Sequence, residues 1–194
     1  MFMAQCFRFG WRRCSPLNWA LGLSEVKMDK ILKYAVKEAE DKYGKSVSNL
    51  KLLPVQFHTN GPYVSYPTNH DLLVTISDSC RIQRNRAYYQ LAHEAVHTLS
   101  PVNIENVSWL EEGVAVNFSH CFMARHCGVS WDRTGSEKYD LAWRYVKELI
   151  KVYPGAIRLI FKTFGRLSSL EHRKVQNLFP RASNKLVIQL CARF

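Results

Sequence analysis

Two histidines and a glutamate in the middle of the chain have the spacing of a zinc site. His93, Glu94 and His97 form the pattern His-Glu-Ala-Val-His within a segment whose periodicity predicts a helix. Histidines four positions apart lie on one helix face, about one turn apart, so both imidazoles can reach a single ion. Glu94 points about 100° away, where it can take a proton from a metal-bound water without ligating the metal. The pattern therefore predicts Zn²⁺ ligands at His93 and His97 and a general base at Glu94.

A second segment offers the third protein ligand that a catalytic zinc site requires. The His-Glu-Ala-Val-His pattern arises by chance in roughly a few per cent of chains of this length, so it does not establish a zinc site by itself. The stretch 109–115, Trp-Leu-Glu-Glu-Gly-Val-Ala, begins shortly after His97. Neighbouring helix residues point about 100° apart, so only one of Glu111 and Glu112 can face the metal well. Glu111 has another role available, because it stands at the capping-box position after Ser108.

Together the two segments resemble the gluzincin metallopeptidases, in particular the peptidase-MA-like group. In that family one helix carries HExxH, and the next opens with a Trp-Leu-x-Glu-Gly-x-Ala-like stretch whose glutamate before the glycine is the third zinc ligand. The resemblance covers residues 91–119 and assigns that ligand to Glu112. The glycine itself would let two helices approach closely. The resemblance implies a zincin-like fold and a zinc-dependent hydrolysis of peptide bonds in a peptide or protein substrate, with Glu94 as base.

The resemblance leaves two roles to be filled. Many gluzincins place an acid one turn after the third ligand to hold a histidine, but that position here is Val116. Support for the ligands must then come from Asn117, a backbone carbonyl or a water. Family members also use a downstream Tyr or His to stabilise the oxyanion. The candidates for that donor are His120, Tyr139, Tyr145 and Tyr153. His120 could instead stand behind a ligand as a hydrogen-bond partner.

Substrate is expected to bind beside the active-site helix. In zincin folds a strand next to that helix binds the substrate backbone at its edge, which points to residues 71–77 or 50–57. An ordinary sheet strand is an equally good interpretation of either segment. Two other functions stay open: a catalytically inactive zincin-like binding or regulatory module, and a basic nucleic-acid-associated protein in which HExxH is incidental. Glu94 argues against the first, because metal binding alone does not need it, and Glu112 argues against the second.

The secondary structure predicted around these residues consists mainly of strands in the first part of the chain and of helices in the rest. Residues 50–57 predict a strand that Pro54 bends or confines to an edge, 59–70 predict a loop, and 71–77 predict the best strand. Helices are predicted for residues 24–43, 84–99, 109–125, 135–153, 155–164, 168–179 and 183–192. This order is typical of the α+β class.

We expect a single zincin-like domain over residues 24–194. Its sheet and zinc-site helices would occupy 24–127, and a helical subdomain would occupy 128–194. Residues 1–23 are interpreted as a tail or extension of uncertain order, rich in arginine and aromatic residues.

Composition narrows the remaining classes. The chain has 194 residues, of which 47% are hydrophobic, and its apolar runs are too short for a transmembrane segment. The net charge of +11 could attract nucleic acid or another acidic partner, but no nucleic-acid-binding motif is present. The lack of a recognisable signal peptide or Cys-x-x-Cys pair favours reduced cysteines and a cytoplasmic location. Cys121 and Cys127 could form a second metal site with His120 or His126, although the spacing matches no standard zinc module.

Overall fold

The computed structural model describes residues 25–194, and the tail expected at residues 1–23 lies outside the described residues. The described strands and α-helices are, in order, α1 (Glu25–Tyr43), β1 (Lys51–Leu52), β2 (Gln56–His58), β3 (Tyr63–Thr68), β4 (Asp71–Ser77), α2 (Arg84–His97), α3 (Trp109–Cys127), α4 (Glu137–Val152), α5 (Ala156–Phe164), α6 (His172–Leu178) and α7 (Asn184–Cys191). The predicted α+β class is confirmed. Each predicted helix is present, with ends that differ from the expected ones by up to four residues.

β4 lies at the centre of the small sheet. β1 pairs with the start of β4 and β2 with its end, both in parallel and along the same edge. The single strand predicted over residues 50–57 is therefore interrupted, and the break falls at Pro54, which has no N–H to donate. The N–H of the next residue, Val55, donates instead to the Asp29 side chain on α1 at 2.7 Å. The interruption thus ties the sheet to the first helix.

The prediction of a loop over residues 59–70 is wrong, because this segment contains β3, which pairs antiparallel with β4. β3 is an outer strand with Pro67 near its end and exposed residues in its second half, so it lacks the alternation that marks a half-buried strand. In the turn that follows, the Thr68 hydroxyl donates to the Asp71 carboxylate at 2.7 Å. With neighbours on both sides, β4 has no edge available for an added strand. The expectation that residues 71–77 bind a substrate backbone is therefore wrong.

α2 and α3 lie at the centre of the helical part. α2 packs against α1, α3 and the sheet, and α3 packs against both α2 and α4. The middle of each helix is buried on most sides, as at Leu91 and Ala95 on α2 and at Val114 and Phe118 on α3. Polar side chains are tolerated in such helices only where they find partners. The histidines and glutamates of these two helices must therefore satisfy one another.

Gly113 determines how closely α3 and α4 approach each other. A Cβ atom at this position would overlap the carbonyl oxygen of Ala142 and lie 2.6 Å from Cγ2 of Val146. The carbonyl belongs to the backbone of α4 and cannot rotate away, so any side chain would push the helices apart. The expectation that this glycine permits close helix packing is confirmed.

We expect Gly113→Ala to lower the free energy of unfolding by about 1–3 kcal/mol, because the added methyl group overpacks the contact between α3 and α4. Urea denaturation measures the change. Gly155→Ala is the matched control, since a Cβ atom there meets no atom within 4 Å. Gly155 is the N-cap residue of α5, where Ala is less favourable than Gly, but Ala also lowers the entropy of the unfolded chain, so we expect the control to change stability by less than about 1 kcal/mol. A Gly113→Ala variant as stable as the parent would contradict the tight helix contact.

Candidate metal centre

The contact between α2 and α3 places three metal-binding side chains together. His93 and His97 lie on α2, and Glu112 faces them from the first turn of α3. Nε2 of His93 is 3.0 Å from Oε2 of Glu112, and Nε2 of His97 is 3.8 Å from Oε1 of the same carboxylate. One ligand atom from each residue lies within 4.8 Å of the others. Ligand atoms around a tetrahedral zinc ion are about 3.3 Å apart, so small shifts would let this group hold a metal ion.

The group lies in a buried and acidic environment. The exposed fraction is 7% for His93, 3% for Glu94 and 7% for Glu112, and Glu111 is fully buried. Burying several carboxylates this close together is costly unless cations or hydrogen bonds compensate for the lost hydration. The imidazoles supply part of that compensation, and a divalent cation would supply more. The donor atoms and the buried charge therefore both fit a metal ion.

Glu111 supports His97 and does not face the position that a metal would take. Its Oε1 accepts a hydrogen bond from Nδ1 of His97 at 2.8 Å, and its Oε2 accepts one from the Ser168 hydroxyl. A proton held on Nδ1 leaves Nε2 of the same ring to bind a metal. Because Nε2 faces Glu112, the geometry favours Glu112 over its neighbour as the ligand. The hydrogen bond that orients His97 was expected from Asn117, a backbone carbonyl or a water. In the structure it is made by Glu111.

Ser108 joins the first turn of α3 to the chain that follows α5. Its hydroxyl accepts a hydrogen bond from the N–H of Glu111, as the capping pattern predicts. The reciprocal half of the capping box is replaced, because the Ser108 N–H donates to the Ser168 hydroxyl at 2.8 Å. The Ser108 hydroxyl also donates to the carbonyl oxygen of Leu167 at 2.9 Å. The carboxylate of Glu111 is thereby left for His97.

The outer nitrogen of His93 has a different environment. Val116, at the position where many gluzincins carry an acid, is buried in the core. Asn117 accepts a hydrogen bond from the Trp143 indole at 3.2 Å. Nδ1 of His93 is buried and has no hydrogen-bond partner within the part of the chain that the structure describes. Its ring is oriented by stacking on Tyr89, with 6.4 Å between ring centroids.

Electrostatic interactions within the group shift the titration of three side chains. Burial disfavours a charged His97, but the charge of Glu112 and the hydrogen bond to Glu111 outweigh it and raise the pKa of the imidazole to about 10. Burial also opposes ionisation of Glu112, yet His97 and His93 lower the pKa of its carboxyl group. Burial raises the pKa of Glu94 against the effect of both histidines. Because a metal-ligating nitrogen must be deprotonated, a bound cation would displace the proton on Nε2 of His97 and leave the proton on Nδ1 with Glu111.

The candidate ligands open into a cleft of about 820 Å³. It is bordered by β3, by one face of α2 and by residues 131–139. Side chains that line it include Tyr63, Tyr66, Arg86, Glu94, Trp131 and Tyr139. β1 and β2 do not contribute to the lining, so the expectation that residues 50–57 bind substrate is also wrong. β3 is the sheet edge that borders the cleft.

Tyr139 and Tyr145, two of the four candidates for an oxyanion donor, lie on α4 in different surroundings. Tyr139 lines the cleft, and its ring centroid is 5.8 Å from that of His93. Burial and the charge of Glu112 raise the pKa of its hydroxyl group, so that group keeps its proton at neutral pH. Tyr145 packs against Trp109 outside the cleft lining, with 5.9 Å between ring centroids.

His120 and Tyr153, the other two candidates, lie away from the cleft lining. Nδ1 of His120 donates to the carbonyl oxygen of Trp131 at 2.8 Å, and burial lowers the pKa of this imidazole. The Tyr153 hydroxyl accepts a hydrogen bond from the N–H of Arg181 at 2.8 Å. His120 therefore supports the cleft wall at Trp131, and Tyr153 holds a distant turn.

The sequence analysis missed Tyr89 as part of the site. Its ring stacks on His93 and also lies 5.1 Å, between centroids, from that of Trp131. Tyr89 thus joins the helix that carries the histidines to the opposite side of the cleft. The available signal was its position four residues before His93, because residues at that spacing are neighbours on a helix surface.

The second metal site considered at Cys121 and Cys127 is not formed. Nε2 of His126 lies 2.8 Å from Oε2 of Glu38, and His120 is engaged with a backbone carbonyl. Over residues 25–194, the one cluster with the geometry to hold a metal ion is His93, His97 and Glu112. The described cysteines form no disulfide with one another.

No protein-family model, curated protein or solved structure matches this chain. Within the described range, none of the helices combines the length and the apolar character that crossing a membrane requires. Functional assignment therefore rests on the chemistry of the site.

We expect Glu111→Gln to weaken zinc binding by about ten- to a hundredfold, because an amide holds the His97 ring less firmly. Competition with a chromophoric chelator measures the affinity. Glu105→Gln alters an exposed glutamate between α2 and α3, so it is the matched control and should bind zinc like the parent. Glu112→Gln removes a ligand and should lose more affinity than Glu111→Gln. The opposite order would assign the ligand to Glu111.

Proposed function

We propose that this chain is a zinc-dependent peptidase of the gluzincin type, acting on a peptide or protein substrate. One observation carries the proposal: ligand atoms of His93, His97 and Glu112 converge within 4.8 Å in a cleft that Glu94 also lines. A metal-binding group alone would suit many functions. A buried carboxylate beside it, in a cleft large enough for a peptide, favours hydrolysis.

The donor set suits zinc better than a harder metal. Two imidazoles and one carboxylate are typical of catalytic zinc sites, and three protein ligands leave one position open, whereas magnesium and calcium prefer oxygen ligands. Zinc at this position would lower the pKa of a bound water and polarise the scissile carbonyl group. The contribution of the protein is orientation: Glu111 holds the ring and the tautomer of His97.

Glu94 is the proposed general base. It lies between the two histidines on α2, lines the cleft and is only 3% exposed. Burial raises the pKa of its carboxyl group, which makes its ionised form a stronger base. In the proposed reaction it takes a proton from the attacking water and delivers it to the nitrogen of the leaving amine. Its position about 100° from His93 on the helix keeps it out of the ligand set.

Tyr139 is the proposed oxyanion donor. Its ring packs edge-on against that of His93 at the cleft, and its raised pKa keeps the hydroxyl group protonated and able to donate a hydrogen bond. A donor aimed at the developing charge stabilises the transition state more than the ground state. Of the four candidates named from the sequence, Tyr139 has access to a substrate carbonyl in the cleft.

β3 is the proposed binding edge for the substrate backbone. It is the outer strand on its side of the sheet, and Tyr63, Val64 and Tyr66 line the cleft beside α2. An extended peptide could pair with this edge through main-chain hydrogen bonds and continue past the metal ligands. A mixed sheet whose antiparallel outer strand borders the HExxH helix also supports the zincin-like fold that the resemblance implies.

We expect the zinc-loaded protein to cleave members of a peptide library and to lose this activity when a chelator removes the metal. Glu94→Gln should retain zinc and lower the cleavage rate by about a hundredfold to ten-thousandfold, because the base is lost. Glu148→Gln, an exposed glutamate on α4, is the matched control and should cleave like the parent. A parent that binds zinc and cleaves no peptide would favour the inactive zincin-like module. Full activity in Glu94→Gln would exclude Glu94 as the base.

We expect Tyr139→Phe to lower kcat by about a hundredfold, with unchanged zinc content, because one oxyanion donor is removed. Tyr145→Phe makes the same chemical change on the same helix, at a residue outside the cleft lining, and should keep kcat close to the parent value. Steady-state kinetics on one cleaved peptide compare the two variants. Equal kcat values for both would assign the oxyanion contact to another group.

A further inference from the structure

Charged side chains are segregated along the cleft. The acidic residues that line it are Glu94, Glu111 and Glu112, and all three lie at the metal-binding group. The basic residues that line it are Arg84 and Arg86, both at the N-terminus of α2. A substrate that lies along the cleft would therefore meet positive charge at the end remote from the metal ligands.

Arg86 lies on the same face of α2 as the histidines. Positions 86, 90, 93 and 97 follow the spacing of four, three and four residues that defines one helix face. Arg86 precedes His93 by about two turns, which is about 10 Å along the helix axis. An extended peptide advances about 3.3 Å per residue, so about three residues span this distance. Arg86 can thus contact one particular side chain of a peptide bound across the metal site.

The hydrogen bonds of Arg86 within the described residues go to neutral groups. Its Nη1 donates to the Ser79 hydroxyl at 3.3 Å and to the Gln83 side chain at 3.4 Å. The nearby acid Asp78 is engaged by Arg81 at 3.7 Å. Arg86 is exposed to the cleft, and both of its hydrogen bonds are long. Its guanidinium therefore retains positive charge and donors for bidentate pairing with a carboxylate or phosphate.

The start of α2 adds to the positive electrostatic potential around Arg86. Its first turn contains no acidic residue, and Gln83 at the N-cap makes no side-chain capping hydrogen bond. The helix dipole places partial positive charge at this end of α2. Arg84 lies beside it, with its guanidinium carbon 5.4 Å from the centroid of the Tyr88 ring. The region thus combines two cationic side chains with the positive end of a helix.

We propose that this end of the cleft is a subsite for an anionic side chain of the substrate, recognised by Arg86. The inference rests on the proposed peptidase function and defines its substrate class. Preferred substrates carry Asp, Glu or a phosphorylated residue about two to four positions from the scissile bond. The net charge of the chain would attract acidic partners to any part of its surface, but the alignment of Arg86 with His93 demands an anion at one position of the peptide.

The test uses a neutral host peptide in which Glu, phosphoserine, Gln or Lys replaces each position in turn. Fluorescence anisotropy with zinc-loaded Glu94→Gln measures binding without turnover, and chelator-treated parent protein gives the same measurement if that variant folds poorly. The parent enzyme supplies kcat/KM for the same peptides. We expect Glu or phosphoserine at one position to improve binding about fivefold over Gln, the magnitude of a partly exposed ion pair, and Lys to weaken it.

Variants of Arg86 assign the preference to this residue. Arg86→Gln should remove the preference for an anion, and Arg86→Glu should turn it toward Lys, with zinc content unchanged in both. Arg158→Glu is the matched control, because Arg158 is exposed on α5 and lies outside the cleft lining. It changes the net charge by the same amount and should keep the preference. A preference for Glu alone or for phosphoserine alone supports the subsite and identifies which anion it takes.

The subsite and the peptidase proposal can fail separately. Binding without a preference for an anion, or a preference that survives Arg86→Gln, overturns the subsite. An anion preference in binding with no cleavage of any peptide by the zinc-loaded parent supports the subsite and overturns the peptidase function. Cleavage of the host peptides with equal kcat/KM for Glu, phosphoserine and Gln supports the peptidase function and overturns the subsite.

Discussion

His97 lies between two neighbouring carboxylates of α3, and the geometry of the site depends on this contact. Oε1 of Glu111 accepts a hydrogen bond from Nδ1 of the ring at 2.8 Å, and Oε1 of Glu112 lies 3.8 Å from Nε2. Adjacent helix residues point about 100° apart, so they can reach both nitrogens of one ring only when the ring enters between them. α3 must therefore press closely on α2. α4 packs on the other side of α3 at Gly113, and the absence of a side chain there lets α3 lie close to α4 as well as to α2.

The first turn of α3 is held in place by parts of the chain that are distant in sequence. Ser168, beyond α5, accepts a hydrogen bond from the Ser108 N–H and donates one to the Glu111 carboxylate. The N–H of Trp109 donates to the carbonyl oxygen of Ala192 at 3.0 Å, close to the end of α7. These contacts orient the turn that carries both glutamates. The C-terminal helices therefore contribute to the site although they carry none of its candidate ligands.

The parts of the site that the sequence predicts are those determined by interactions between residues close together in the chain. The spacing of His93 and His97 and the start of α3 at Trp109 follow from helix periodicity and capping, which act over a few residues. The hydrogen bond of Ser168 to Glu111 joins residues that are 57 positions apart, and no local pattern encodes it. β3 was not predicted for a related reason. It is an exposed outer strand that contains Pro67, so its pairing with β4 specifies it and its own apolar pattern does not.

Charge balance explains how the proposed metal site and the proposed general base could share this core. Without a cation, the proton that Glu112 and Glu111 favour on His97, and the proton that burial favours on Glu94, both offset buried negative charge. A divalent cation bound by His93, His97 and Glu112 would supply that positive charge itself. His97 would then lose the proton on Nε2 and keep the one on Nδ1, and the ionised form of Glu94 would be stabilised by the adjacent cation. In the proposed mechanism, metal binding would thus favour the ionised form of Glu94 that a general base needs, because the buried charges of His97 and Glu94 balance each other.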